Sequence, residues 1–178
     1  MQAIVNVNEN WGIGRNGDLL VYIPEDMRFF REMTAGRTVI MGRKTLESFP
    51  GGRPLKNRTN IVLTRDASRI LVSGEEDRKL AVLEDLYALA DYIREIPSLD
   101  VFVIGGESIY RQLLPYCERC LVTKNDCTKE PDSWFPDLDA MDNWHCIEES
   151  EPREHEGIRY RFTVYENSCP LPLPEKAS

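Results

Sequence analysis

Short apolar runs alternate along the chain with stretches whose apolar residues fall three and four positions apart. That alternation is the pattern of strands interleaved with helices. Ala3, Ile4, Val5 and Val7 predict a strand over Gln2 to Asn8. The glycines and asparagines of Glu9 to Asp18 predict a loop. Pro24 predicts a helix start, Glu25 and Asp26 suit its positive end, and Gly36 ends it. Further strands are predicted at Thr38 to Met41, Thr59 to Thr64, Asp100 to Gly105 and Arg119 to Asp126, with fainter patterns near Ile70 and Leu80. Helices are predicted from Arg43 to Phe49, Leu83 to Arg94 and Gly106 to Leu114. A Gly/Pro-rich turn covers Pro50 to Pro54, and Trp144 to Glu149 with Ile158 to Tyr165 reads as a closing hairpin.

This order predicts an α/β fold in one domain: a central, mostly parallel twisted sheet with an antiparallel C-terminal edge strand and helices on both faces. The domain is predicted over residues 1–167, followed by a mobile proline-rich tail at 168–178. Ligands of such sheets sit at the carboxyl ends of the strands. The rule selects Gly42-Arg43-Lys44-Thr45, Thr64-Arg65 and Gly105-Gly106.

A chain of 178 residues can bury a core without disulfides or metals. The net charge of -8 argues against a nucleic-acid partner. Cations nevertheless concentrate in one stretch, at Arg37, Arg43, Lys44, Arg53, Lys56, Arg58 and Arg65. No apolar run approaches the ~20 residues of a membrane span. The first residues read as a strand rather than a signal peptide, so a cytoplasmic protein is expected. Cys117 and Cys120 make a C-x-x-C with no second pair to complete a zinc site, and no metal is expected.

The glycine pair Gly105-Gly106 follows an apolar strand and precedes a helix, so a phosphate could approach free N–H groups there. It lacks G-x-G-x-x-G spacing, and a tight strand-to-helix turn is the plainer reading. Arg43 and Lys44 also open a helix, where cations are unfavourable unless an anion compensates them. With Arg65 they suit a phosphate ester, although solvated surface cations are the plainer reading. Asp26, as a first-turn acid, needs no function by itself. Beside Ile4, Val5, Phe30 and Phe49 it becomes a carboxylate in an apolar cleft, suited to a flat ligand with two adjacent N–H groups. Arg58 is either a surface arginine or a clamp on a ligand carboxylate.

Together these residues resemble the dihydrofolate reductase family over roughly residues 2–166. The resemblance rests on Trp11-Gly-Ile-Gly14, Ile23-Pro-Glu-Asp26, Val39-Ile-Met-Gly-Arg-Lys-Thr45, Gly52-Arg-Pro-Leu55 through Arg58, Val103-Ile-Gly-Gly106 with Tyr110, and Trp134-Phe-Pro136. It implies a monomeric, NADPH-dependent reductase of dihydrofolate that also takes antifolates. Asp26 matches the catalytic carboxylate that holds the pterin. Ile4, Val5, Phe30, Arg31, Phe49, Arg53, Leu55, Arg58, Ile104 and Thr123 match the rest of the substrate site, with Arg58 on the glutamate tail. On the cofactor side, Asn6, Ile13, Gly14, Asn16, Gly17, Asp18 and Leu19 come from the first strand and a mobile loop braced by Asp132. Gly42, Arg43, Lys44, Thr45, Leu63, Thr64 and Arg65 come from the basic stretch. Ile104, Gly105, Gly106, Glu107, Ser108, Ile109 and Tyr110 come from the glycine turn, where the family has a cis peptide.

The chain departs from the family pattern in two places. Val21 stands where a tryptophan is common, and Asn6 replaces a small apolar residue. The adenine-contacting residues are not placed, since Ser68 to Leu80 aligns poorly. Two other readings stay open: a pyrimidine reductase of riboflavin synthesis, and a nucleotide-binding module without catalysis.

Overall fold

The computed structural model describes residues 1–175. Its strands and helices follow in the order β1 (Gln2–Val7), β2 (Gly12–Arg15), β3 (Asp18–Leu19), α1 (Pro24–Thr34), β4 (Thr38–Met41), α2 (Arg43–Ser48), β5 (Arg58–Leu63), β6 (Arg78–Leu83), α3 (Leu86–Ile93), β7 (Val101–Gly105), α4 (Glu107–Leu113), β8 (Arg119–Asn125), β9 (Ser133–Trp134), β10 (Trp144–Glu149), β11 (Arg153–His155) and β12 (Ile158–Asn167).

Strands β8, β1, β7, β4, β5 and β6 are parallel and lie side by side in that order. β12 runs antiparallel along β8, and β10 and β11 pair antiparallel with β12. The α/β architecture is therefore the expected one. Alternation along each strand splits the interior into two layers. Ile4, Val39, Met41, Val62, Phe102 and Leu121 point to one face, packed with Phe29, Phe30 and Met33 of α1 and Leu46 of α2. Ala3, Val5, Val7, Ile40, Ile61 and Val103 point to the other, against Leu89 and Ile93 of α3 and Ile109 and Leu113 of α4.

Strands β4 and β7 are neighbours, yet the chain leaves β4 toward β5 and leaves β7 toward β8 on the opposite side. Such a reversal opens a crevice at the carboxyl ends of the two strands. Gly42 and the Gly105–Gly106 pair stand at that crevice, joined by the Gly42 N–H donating to the Gly105 carbonyl at 2.8 Å.

Four expectations are corrected. The loop over Glu9 to Asp18 contains β2 and the first residue of β3, which with β9 form a small second sheet in the order β3-β2-β9. The cause is Asn16-Gly17, a two-residue turn with φ of 53° and 80°, the pairing that left-handed hairpin turns demand. Near Ile70 there is no strand but a 3-10 turn at Ala67–Arg69. The helix predicted from Leu83 starts at Leu86, because Leu83 completes β6 and Asp85 caps the helix by accepting from the Ala88 N–H at 2.7 Å. The tail is held where it is described: the Leu171 N–H donates to the Pro115 carbonyl at 2.9 Å, and Leu173 packs on the core. Positions 176–178 of that predicted tail lie outside the described residues.

Candidate active site

Helix α1 begins without a side-chain cap, with Pro24 in its first turn. That turn lays Asp26 against the face of the sheet where β1 and β8 run in register. Asn6 of β1 is paired opposite Thr123 of β8, so both side chains rise on the α1 side. The Thr123 hydroxyl donates to Asp26 Oδ1 at 2.5 Å, and the Asn6 amide donates to Asp26 Oδ2 at 2.8 Å. Burial pushes the Asp26 carboxyl above its ordinary value, and these two hydrogen bonds pull it partly back. A carboxylate has about four lone-pair sites. The protein fills one on each oxygen and leaves one on each.

Beyond Asp26 the same face is apolar. Ile4, Phe30, Phe49, Leu55 and Ile104 belong to one packed layer. The β1–β7 ladder stops at Ala3 opposite Val103, and the Ile4 carbonyl instead accepts from the Tyr110 hydroxyl at 2.7 Å. Val5 does not reach this face with its side chain, since alternation turns it into the layer beneath α4.

At the far end of α1 stands Arg58, the first residue of β5. Its guanidinium donates to Thr34 Oγ1 at 3.2 Å through Nε, to the Lys56 carbonyl at 2.6 Å, and to the Arg31 carbonyl at 3.1 Å. Burial, and then Arg31 nearby, lower its proton affinity below the ordinary arginine value. The second Nη1 proton has no partner among the described residues, and none of their carboxylates lies within ion-pair distance. Arg31 and Arg53 are exposed near that end.

The crevice at β4 and β7 opens into a cleft of about 370 Å³. Its walls include Gly42, Arg43, Lys44 and Thr45 from the start of α2, Leu63, Thr64 and Arg65 past β5, and Gly106, Glu107, Ser108 and Ile109 at α4. The peptide between Gly105 and Gly106 is cis. Gly105 has φ of 119°, where a side chain would be strained, and a Cβ there would press on the Tyr110 ring at 3.2 Å. Arg43 pairs with Glu47 at 2.6 Å, whereas Lys44 and Arg65 have no carboxylate within ion-pair distance among the described residues. Two cations unpaired among the described residues, hydroxyls and helix-start N–H groups around one cleft fit a phosphorylated dinucleotide.

A family model described as dihydrofolate reductase matches residues 1–167. The chain belongs to the dihydrofolate reductase family. It is 36% identical over 165 residues to a dihydrofolate reductase of Bacillus subtilis, covering 92% of each chain. It is 38% identical over 160 residues to one of Mycobacterium tuberculosis, covering 88% of this chain and 91% of that one. A bifunctional dihydrofolate reductase-thymidylate synthase of Glycine max is 35% identical over 179 residues, but this chain spans only 33% of it. Membership in the dihydrofolate reductase family makes the chain an oxidoreductase enzyme and implies a nicotinamide cofactor in general terms.

Among the remaining candidates, Asn16, Gly17 and Asp18 form the exposed tip of the β2–β3 hairpin, and Asp132 braces it by accepting from the Asn16 N–H at 2.8 Å. Ile13 and Leu19 of that hairpin reach Asn6, enclosing with Val21 and Asn125 a cavity of about 10 Å³, roughly one water. Tyr110 lies beneath the glycine turn, buried against Phe135. The sequence reading did not anticipate Glu84, Asp85 and Gln112 on the cleft walls, nor Asn125. Glu84 and Asp85 directly follow β6. The carboxyl-end rule would have selected them had the Leu80 strand been carried to Leu83.

Proposed function

We propose that the chain reduces 7,8-dihydrofolate to 5,6,7,8-tetrahydrofolate with NADPH, by hydride transfer to pterin C6 and protonation at N5, in one-carbon and thymidylate metabolism. The observation that carries this reading is the Asp26 carboxylate, with one lone pair left on each oxygen, on a sheet face whose other side chains are the apolar Ile4, Phe30, Phe49, Leu55 and Ile104. That is the acceptor pattern for the pterin N3–H and 2-amino group. The cofactor supplies the hydride. Asp26 orients and polarises the ring while water delivers the proton. Ile4, Phe30, Phe49, Leu55 and Ile104 exclude solvent and hold the ring flat. Arg58 takes the α-carboxylate of the glutamate, with Arg31 and Arg53 at the same end. Antifolates with the same amino-heterocycle edge fit Asp26.

For the cofactor, the Gly105–Gly106 turn admits the pyrophosphate and Ile104 meets the nicotinamide. Arg43, Lys44, Thr45, Thr64 and Arg65 take the phosphates. The β2–β3 hairpin, Ile13 and Leu19 foremost, covers the site. Leu63, Glu84 and Gln112 face the distal part of the cleft. The deciding experiment is dihydrofolate-dependent oxidation of NADPH by the purified protein, with NADH in parallel. Oxidation only with dihydrofolate and preferentially of NADPH supports the reading. The absence of turnover overturns it, as does an aminopyrimidine ribityl phosphate serving as the better substrate.

Two further outcomes are expected. Lys44→Gln with Arg65→Gln weakens NADPH binding about tenfold or more, since each removes a charged contact to phosphate. NADH binding should stay within about twofold. Fluorescence titration measures both, and equal losses would remove these cations from the 2′-phosphate. The rate of hydride transfer, measured in single turnovers, should fall as pH rises through the raised Asp26 value. Protonation of the substrate complex is needed, and the ionised form accumulates above that point. A rate constant from mildly acidic to alkaline pH contradicts this.

A further inference from the structure

Asn6 and Asn125 are linked in a way the proposed reaction does not require. Asn125 sits at the end of β8, 4% exposed. Its Oδ1 accepts from the Cys127 N–H at 2.9 Å, and its Nδ2 donates to the Val7 carbonyl at 3.0 Å and to Asn6 Oδ1 at 2.6 Å. Both backbone anchors are fixed in kind: one only donates, the other only accepts. The Asn125 amide can therefore stand in one orientation alone. Turning it over would set oxygen against two oxygens and an amino group against an N–H. Because Asn125 donates to Asn6 Oδ1, the Asn6 amino group must face the other way, onto Asp26 Oδ2 at 2.8 Å.

We infer that Asn6 and Asn125 are positioning residues: a two-amide relay, anchored on the backbone of Val7 and Cys127, that aims Asp26 and sets its proton affinity. Thr123 serves the other oxygen but cannot fix direction, since a hydroxyl rotates to donate or accept. Asn6 can only donate here. This rests on the reading of Asp26 given above and adds to it. The other ionisable groups around the carboxylate are accounted for. Glu25, its neighbour on α1, is engaged by Arg153 and by the Tyr160 hydroxyl. Tyr110 of α4 has its hydroxyl on the Ile4 carbonyl. Lys124 of β8 points to the opposite face of the sheet, over the Trp11 ring, and is paired with Asp139 at 2.7 Å. None of them hydrogen-bonds Asp26, so the amide is the polar contact that differs in kind from Thr123.

The relay predicts how Asp26 titrates in variants, read by carbon-13 NMR of labelled aspartate carboxyls with Asp26→Asn to assign the signal. Asn6→Ala moves the Asp26 titration upward by about one unit, because a donor to the charged form is lost. Asn125→Ser keeps a hydroxyl near Val7 but is too short to steer Asn6, and moves it in the same direction by less. The double variant titrates as Asn6→Ala alone, since the two act in series. Thermal melting checks that each variant is folded. An unmoved titration in Asn6→Ala overturns the relay, as does an Asn125→Ser variant identical to wild type, or additive shifts in the double variant. The titration needs no ligand. A protein whose carboxyl moves as expected but which does not reduce dihydrofolate refutes the proposed reaction and leaves the relay standing. In an active enzyme, the pH at which hydride transfer declines should rise with the carboxyl.

Discussion

Asp26→Asn is expected to lower turnover of dihydrofolate by about a hundredfold or more at neutral pH, and at the same time to raise the melting temperature. The loss follows because an amide presents one acceptor and one donor where the proposed pterin contact needs two acceptors. The gain follows from burial. Desolvation raises the Asp26 carboxyl from its ordinary 3.8, against the pull of Thr123 and Asn6. A raised value means that ionised Asp26 is held less favourably in the folded chain than in the unfolded one. Its contribution is intact below 3.8 and is lost as pH rises through the folded value. The asparagine is neutral throughout, and its two ends can still meet Asn6 and Thr123. Melting curves of variant and wild type should therefore separate as pH climbs through that window and stay apart above it. They should converge in acid. Near-normal turnover in the variant removes Asp26 from the chemistry. A variant less stable than wild type at neutral pH would show that the two donors outweigh desolvation.

Asp26 is hard to judge from the sequence alone. As an acid in the first turn of α1 it is well placed for the helix dipole whatever it does. Only its neighbours distinguish it, and Thr123 lies far along the chain. The parallel strands were legible because Val39-Ile40-Met41 and Val101-Phe102-Val103 are buried on both faces and read as continuous apolar runs. The switch-point cleft was legible too, since Gly42 and Gly105 follow those runs directly. The β2–β3 hairpin was missed although Asn16-Gly17 is the strongest short-range signal for one. Its strands are too short and glycine-rich to show alternation. β6 blurred because its first positions, Arg78 and Lys79, are charged and it lies at the sheet edge. The Asn6–Asn125 link was not legible at all. Two asparagines this far apart carry no pattern, and only the register of β1 beside β8 brings them together.

The lengths of α1 and β5 set the span of the proposed substrate site, and Arg58 stands at one end of it. From Asp26 to Thr34, helix α1 advances ~12 Å, and Arg58 is fastened to the far end by Thr34 and the Arg31 carbonyl. Meanwhile β5 carries the chain ~20 Å from Arg58 to the cleft past Leu63. Arg58 thus lies at one end of a long apolar face and the proposed cofactor cleft at the other. Arg58→Leu should weaken dihydrofolate binding by on the order of a hundredfold, the loss typical of a charged, hydrogen-bonded pair. NADPH binding should change by less than about twofold. Dihydropteroate, which lacks the glutamate, should bind variant and wild type alike. That third ligand separates a lost clamp from a slack α1, because Arg58 also ties down the helix end and its removal costs those hydrogen bonds. If dihydropteroate weakens as much as dihydrofolate, the guanidinium supports the fold and grips no carboxylate. If only dihydrofolate weakens, the half-buried cation without an acid partner has the anion that its surroundings lack.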